Sequence, residues 1–203
     1  MSSNSSSSPP VITAASAQTR QLILGSTSRY RRELLARLNT PFTVVGPDVD
    51  ETPAEHEAPH ALALRLALAK ARAVAALHPE AVVIGSDQVA DLNGTPLGKP
   101  GTHERAVLQL QRMRGQTVVF QTAVAVVCAA TQFEEVDLAA VKVRFRDLSD
   151  AEIESYLRTE QPYDCAGSAK SEGLGIALLA SIDNDDPTAL VGLPLIRTCR
   201  MLR

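Results

Sequence analysis

The chain has 203 residues and no tryptophan, and aromatic residues make up only 3% of it. Its core therefore has to be aliphatic, drawn mainly from Leu and Val. An excess of charge of one sign is missing too. A net charge of −3 gives no electrostatic case for a nucleic-acid polymer as partner. Cysteine is scarce: Cys128, Cys165 and Cys199 are odd in number and form no CxxC pair. That argues against a zinc site and for a reducing, cytoplasmic compartment. No apolar run reaches the length of a membrane span, so no membrane partner is expected. The first residues lack both the basic and the apolar region of a secretory signal. No GxxxxGKS/T loop is present, which speaks against a kinase or motor-type NTPase. Neither a GxSxG turn nor a Cys–His pairing stands out, so nucleophilic hydrolysis is set aside.

What is present describes an ordinary globular protein, 45% hydrophobic and 21% charged, long enough for one large domain or two small lobes. Residues 1–19 are Ser-rich and then small and polar. Such a stretch buries too little apolar surface to offset its ordering entropy, so a disordered tail is expected there, with the folded domain over residues 20–203.

The central stretch is Ala81–Gln88, AVVIGSDQ. Val82, Val83 and Ile84 predict a buried strand, and Gly85 and Ser86 mark its expected end. Asp87 then falls where the strand opens into a cleft, the edge at which α/β sheets place ligands. Taken alone, a carboxylate there is equally well a turn residue bonded to nearby backbone. Upstream, Leu22–Leu24 reads as the first strand. The Gly25–Ser28 loop feeds a helix capped by Ser28, with Leu34, Leu35 and Leu38 on its apolar face. Arg29, Arg31 and Arg32 crowd the start of that helix. Cations there oppose the helix dipole by about 0.3–1 kcal/mol each, which suits an anion site better than a stabilised helix.

Phe42–Val45 is the next predicted strand. Asp48, Asp50 and Glu51 follow Pro47 in a turn-prone segment: either an acidic surface loop or oxygen ligands for Mg²⁺ or Mn²⁺. A helix is expected over Pro59 to about Leu77, with Lys70 in its interior. Asn93-Gly94 signals a hairpin that folds Lys99 back toward Asp87. Thr102 caps a helix ending near Arg114. Val118–Ala130 and Glu135–Phe145 read as antiparallel neighbours. Ser149 and Glu152 form a capping box for a helix to about Thr159. Pro162–Gly173, PYDCAGSAKSEG, is a polar loop of the kind that carries function, with Lys170 and Glu172. A last strand is expected at Gly175–Leu179 and an acidic turn at Asp183–Thr188. A C-terminal helix after Pro194 would turn Leu195, Ile196, Cys199 and Leu202 inward.

The pieces suit one chemistry. Arg31, Arg32, Lys70, Lys99 and Lys170 offer cations for a chain of phosphates. Asp50, Glu51 and Asp87 offer carboxylates for a divalent cation and a water.

Six stretches taken in order (LILGSTSRYRRELL, DVDETP, the Ala-rich helix with Lys70, IGSDQV, GKP and CAGSAKSEG) resemble the Maf family of nucleotide pyrophosphatases over essentially all of Leu22–Arg203. GSDQV, SAKSEG and the closing LVGLPL resemble the branch acting on 7-methyl-GTP. The resemblance implies an α/β fold: an elongated mixed sheet with flanking helices and two lobes around a central cleft, like the inosine-triphosphate pyrophosphatases. It implies cleavage of a modified nucleoside triphosphate between its α- and β-phosphates with a divalent metal cation, Mg²⁺ or Mn²⁺. A homodimer is compatible with it. By position it makes Asp87 the proton acceptor, and Ser26, Arg31, Glu51, Lys70 and Lys99 the phosphate- and metal-handling residues. Tyr30, Gln88 and Glu172 match the positions that separate branches by substrate. Tyr30 offers an aromatic face to a cationic 7-methylated guanine, and Glu172 an acceptor for its N–H edge. The branch usually carries Trp at Tyr30, and the family usually carries Pro at Arg29 and commonly Ala at Gly25. Two alternatives remain: a dTTP/UTP pyrophosphatase of the sister branch, and a nucleotide-binding regulator without turnover.

Overall fold

A computed structural model describes residues 20–203, so the expected tail at residues 1–19 lies outside the described residues. Among the described residues, seven strands form one open mixed sheet in the order β2-β1-β3-β5-β6-β7, with β4 on β3. The strands are β1 (Leu22–Gly25), β2 (Thr43–Val44), β3 (Val82–Leu92), β4 (Thr95–Leu97), β5 (Thr117–Cys128), β6 (Phe133–Phe145) and β7 (Leu179–Asp183). The helices are α1 (Arg29–Ala36), α2 (Pro59–Leu77), α3 (His103–Met113), α4 (Asp150–Glu160) and α5 (Leu195–Met201). β1 runs parallel to β2 and β3, and the remaining pairs are antiparallel.

The helix starts follow from their caps. Ser28 Oγ accepts from the Arg31 amide, Thr102 Oγ1 from the Arg105 amide, and Ser149 and Glu152 form the reciprocal box that opens α4. Each such cap satisfies amides that the first turn leaves unpaired, and is worth about 1 kcal/mol.

Side chains along β3 alternate between two faces. Val83 and Val89 pack with Ile23, Ala123 and Ala125 under α2, through Leu62, Leu66 and Val74. Each buried Leu or Val contributes about 1.5–3 kcal/mol. On the opposite face, Ile84 joins a core under α1 and α5 containing Leu34, Leu35 and Leu193. Farther along the same face, Ala90 and Leu92 join a second core under α3 and α4, with Leu110, Phe120, Val141 and Leu157. These two cores are the two lobes, and Ser86 and Gln88 lie in the interval between them.

The strand expected to end at Gly85–Ser86 instead runs on to Leu92. Gly85 has a different cause. A Cβ there would stand 2.3 Å from the Ala67 carbonyl oxygen and 2.6 Å from the Ala71 nitrogen. Gly85 therefore lets α2 lie directly on β3, and Ser86 stays in the ladder opposite Val124. The strand expected at Gly175–Leu179 is a 3₁₀ segment at Leu174–Leu178, and the strand proper is Leu179–Asp183. In α5, Leu195, Thr198 and Met201 face inward, whereas Ile196 is exposed. Val141, Val143 and Phe145 are buried and alternate with exposed Lys142 and Arg144, as expected for a sheet wet on one face.

Candidate active site

The cleft follows from strand register. β1 leaves β3 at the pair Gly25–Gly85, and β4 joins the same edge only at the pair Leu97–Ala90. Between these points Ser86, Asp87, Gln88 and Val89 have no strand partner on that edge among the described residues. Two chain segments diverge there. Ser26–Ser28 leads from β1 into α1, and Gly98-Lys99 leads out of β4. The gap widens into a cleft of about 770 Å³, lined by residues including Ser26, Tyr30, Arg31, Glu51, Lys70, Asp87, Gln88, Lys99 and Glu172. That lies within the roughly 300–1,000 Å³ usual for small-ligand sites.

Asp87 shares the α2 face of β3 with Val83 and Val89, so it meets Lys70 of α2. Lys70 Nζ donates to Asp87 Oδ1 at 2.6 Å and pairs with Glu51 Oε1 at 2.7 Å. The Lys70 and Asp87 side chains are 7% and 10% exposed, and Glu51 is 61% exposed at the rim. Burial raises the Glu51 carboxyl, but the hydrogen bond and charge of Lys70, helped by Lys99 and Arg31, outweigh it and hold the group below its usual range.

Gln88 takes the other face. Its amide Nε2 lies 2.9 Å from Thr122 Oγ1 and 3.0 Å from the carbonyl oxygens of Ala189 and Leu190. Ser86 Oγ bridges the carbonyls of Ala123 and Gly192, and Arg31 Nε donates to the same Gly192 carbonyl at 2.9 Å. Arg31 Nη1 donates to Ser26 Oγ at 3.3 Å. Burial pulls the Arg31 guanidinium below its usual range while Asp87 and Glu51 pull it back up. It remains a cation facing the cleft. Lys99 is exposed, lines the cleft and has no ion-pair partner among the described residues.

Three of the residues singled out from the sequence stand apart from this group. Arg32 is exposed and outside the cleft wall. Asp50 turns back on its own loop, accepting from the Thr52 amide at 2.9 Å. Lys170 donates to Glu160 Oε1 at 2.6 Å, at the end of α4. Conversely, Arg29, Asp164 and Cys165 line the cleft beside Tyr30. Asp164 and Cys165 belong to the polar loop that stood out in the sequence, but nothing in its composition pointed to these two. Burial pushes the Cys165 thiol up to about 11, so it stays protonated and is no nucleophile at neutral pH. The Gly192 carbonyl, a backbone atom, left no signal beyond its place in the closing LVGLPL.

Among the described residues, no group of three or more His, Cys, Asp or Glu side chains is placed to hold a metal by itself. Glu51 and Asp87 nevertheless converge from two segments on the Lys70 ammonium, and Asp87 Oδ2 beside them has no hydrogen-bond partner among the described residues. Two carboxylates completed by substrate phosphates are a donor set that Mg²⁺ accepts. The residues thus fit a metal shared with a phosphorylated ligand.

Fold and cleft together define an α/β protein whose sheet edge can receive a small polyanion against cations and a carboxylate pair. The chain belongs to the Maf-like protein family, whose family model matches residues 21–203. It is 75% identical over 191 residues to a 7-methyl-GTP pyrophosphatase of Polaromonas sp. (strain JS666), covering 94% of this chain and 87% of that protein. Proteins of the same description from Albidiferax ferrireducens and Methylobacillus flagellatus are 73% and 61% identical. Those matches cover 91% and 89% of this chain, and 92% and 94% of the relatives. No helix among the described residues is long and apolar enough to cross a membrane.

Proposed function

We propose that this protein hydrolyses 7-methyl-GTP between its α- and β-phosphates, releasing 7-methyl-GMP and pyrophosphate. The observation that carries the reading is the meeting of Asp87, Glu51, Lys70, Arg31 and Lys99 on one cleft. The names of the relatives support the choice of base.

The phosphates lie against Arg31 and Lys99, with Ser26 beside them at the start of α1. Arg31 is pre-set by its bonds to Gly192 and Ser26, so little side-chain freedom is lost on binding. Phosphoryl transfer asks chiefly for positioning and charge neutralisation. Asp87 accepts a hydrogen bond from the attacking water and orients it toward the α-phosphorus. Lys70 fixes the Asp87 carboxylate and adds positive charge beneath the reacting group. Glu51 and Asp87 would hold a Mg²⁺ or Mn²⁺ ion, which supplies charge neutralisation on the phosphate oxygens. At the other end of the cleft, Tyr30 stacks on the base, Glu172 accepts from its N–H edge, and Gln88 shapes the floor. The three cysteines are free, which supports a cytoplasmic setting.

The test is pyrophosphate release from 7-methyl-GTP, GTP, dTTP and UTP with Mg²⁺ or Mn²⁺. The highest kcat/KM is expected for 7-methyl-GTP. Preference for dTTP and UTP would assign the protein to that other substrate class. Tight metal-independent nucleotide binding with no release would make it a binding protein.

A further inference from the structure

The base end of the cleft already contains a cation. The Arg29 guanidinium carbon lies 4.7 Å from the centre of the Tyr30 ring. Its Nη2 donates to the Tyr30 hydroxyl at 2.6 Å and stands 3.8 Å from Asp164 Oδ2. The Tyr30 hydroxyl is 3.5 Å from that same carboxylate oxygen. All three residues line the cleft. A flat, delocalised cation is thus seated on an aromatic ring and held at its edge by a carboxylate. A 7-methylated guanine is also a flat, delocalised cation, and the same two features would attract it.

We propose that Arg29 is a resident competitor in the base subsite, displaced when the cationic base of the substrate settles on Tyr30, and that Asp164 then pairs with the base. The proposal rests on the reading of 7-methyl-GTP as substrate. The Arg29 and Asp164 side chains are 61% and 55% exposed, so their contact is one that solvent weakens and a ligand can open. While Arg29 occupies the hydroxyl end of the ring face, apparent affinity is reduced by the fraction of molecules with that end free. That reduction applies to any base that needs the face. Asp164 discriminates, because its charge favours a cationic base over a neutral one.

A phosphate-binding role for Arg29 makes the opposite prediction, since removing a phosphate contact weakens binding. Steady-state kinetics with 7-methyl-GTP, and GTP as a competitor measured by its Ki, separate the two. Arg29→Ala is expected to lower both the KM for 7-methyl-GTP and the Ki for GTP by about three- to fivefold, the range of an exposed cation–π contact. Arg29→Lys keeps a cation over the ring and is expected to stay near wild type. In the Arg29→Ala background, Asp164→Asn is expected to raise the KM for 7-methyl-GTP by about fivefold while moving the Ki for GTP less than about twofold. Unchanged melting temperatures would show that these exposed substitutions leave the fold intact. A KM that rises or stays level in Arg29→Ala overturns the competitor. Equal effects of Asp164→Asn on both nucleotides overturn the discriminating carboxylate. If wild type prefers another nucleotide, the functional reading itself fails and this inference falls with it. If wild type prefers 7-methyl-GTP and Arg29→Ala gains nothing, only the inference fails.

Discussion

Two lysine–carboxylate pairs in this chain have the same length and opposite surroundings. Lys70 and Asp87 meet at 2.6 Å beneath the cleft, and Lys170 and Glu160 meet at 2.6 Å where α4 ends. Around Glu160 both partners come from one loop. Its second oxygen accepts from the Leu174 amide at 2.7 Å, and a Cβ on Gly173 would press to within 2.6 Å of it. Both oxygens of that carboxylate bond to the loop they hold, so the pair acts as a brace on residues 170–174. The Lys70 pair is arranged otherwise. Lys70 spends its charge on two carboxylates from distant segments, and Asp87 Oδ2 has no hydrogen-bond partner among the described residues. An oxygen left open beside a cleft is available to water or a cation, whereas each oxygen of Glu160 is already engaged by the loop. The bond length says nothing about this difference; the remaining valences do.

The strongest way to test that contrast is Asp87→Asn. It keeps the size of the side chain and an acceptor for Lys70, but removes the charge and halves the acceptor capacity. A loss of about a hundredfold or more in kcat for pyrophosphate release is expected, with little change in KM. Glu160→Gln should stay within a few-fold of wild type. Comparable losses in both would erase the distinction between an open carboxylate and one engaged by its own loop.

Lys70→Met comes next. It leaves the 10%-exposed Asp87 carboxylate without its ammonium. Breaking such a pair from one side costs several kcal/mol, and about 3 kcal/mol of unfolding free energy is expected here. Glu51 reaches the solvent, so it bears little of that cost. Denaturant unfolding measures the loss. A cost below about 1 kcal/mol would mean that water already screens Asp87.

These two sites were unequally legible in the sequence. Asp87, Lys70 and Lys99 lie on or beside regular elements: a β-branched run, an Ala-rich helix and an Asn-Gly hairpin. Periodicity and turn chemistry therefore placed them. Gly85 looks like a strand end in the sequence, but it is a contact point with α2. Small size has both meanings, and only the position of the helix separates them. Lys170 and Asp164 share one irregular loop, and composition alone gave Lys170 the cleft and said nothing of Asp164. No period tells which side of such a loop a side chain takes. Glu160, the partner that draws Lys170 away, ends a helix ten residues earlier. Length allowed two lobes, but only the resemblance chose them over one large domain. Their physical cause is the register gap between Gly85 and Ala90, which depends on where β1 stops and β4 begins.

The brace itself makes the smallest and most specific prediction. Lys170→Met is expected to cost about 0.5–1 kcal/mol of stability and to leave KM unchanged; a tenfold rise in KM would return Lys170 to the phosphates. Its pH signature follows from two opposite shifts. The hydrogen bond from Lys170, then that from the Leu174 amide, hold the Glu160 carboxyl below its ordinary value of 4.5. The hydrogen bond to Glu160 holds the Lys170 ammonium above its ordinary 10.5. A lowered acid contributes stability that is complete above pH 4.5 and is lost as pH falls through the folded value. A raised base contributes stability that is complete below pH 10.5 and is lost as pH rises through the folded value. The difference in unfolding free energy between wild type and Lys170→Met should therefore be level between those limits and shrink outside them. A difference that already declines between pH 6 and 9 would mean that the pair is not formed in solution as the fold draws it.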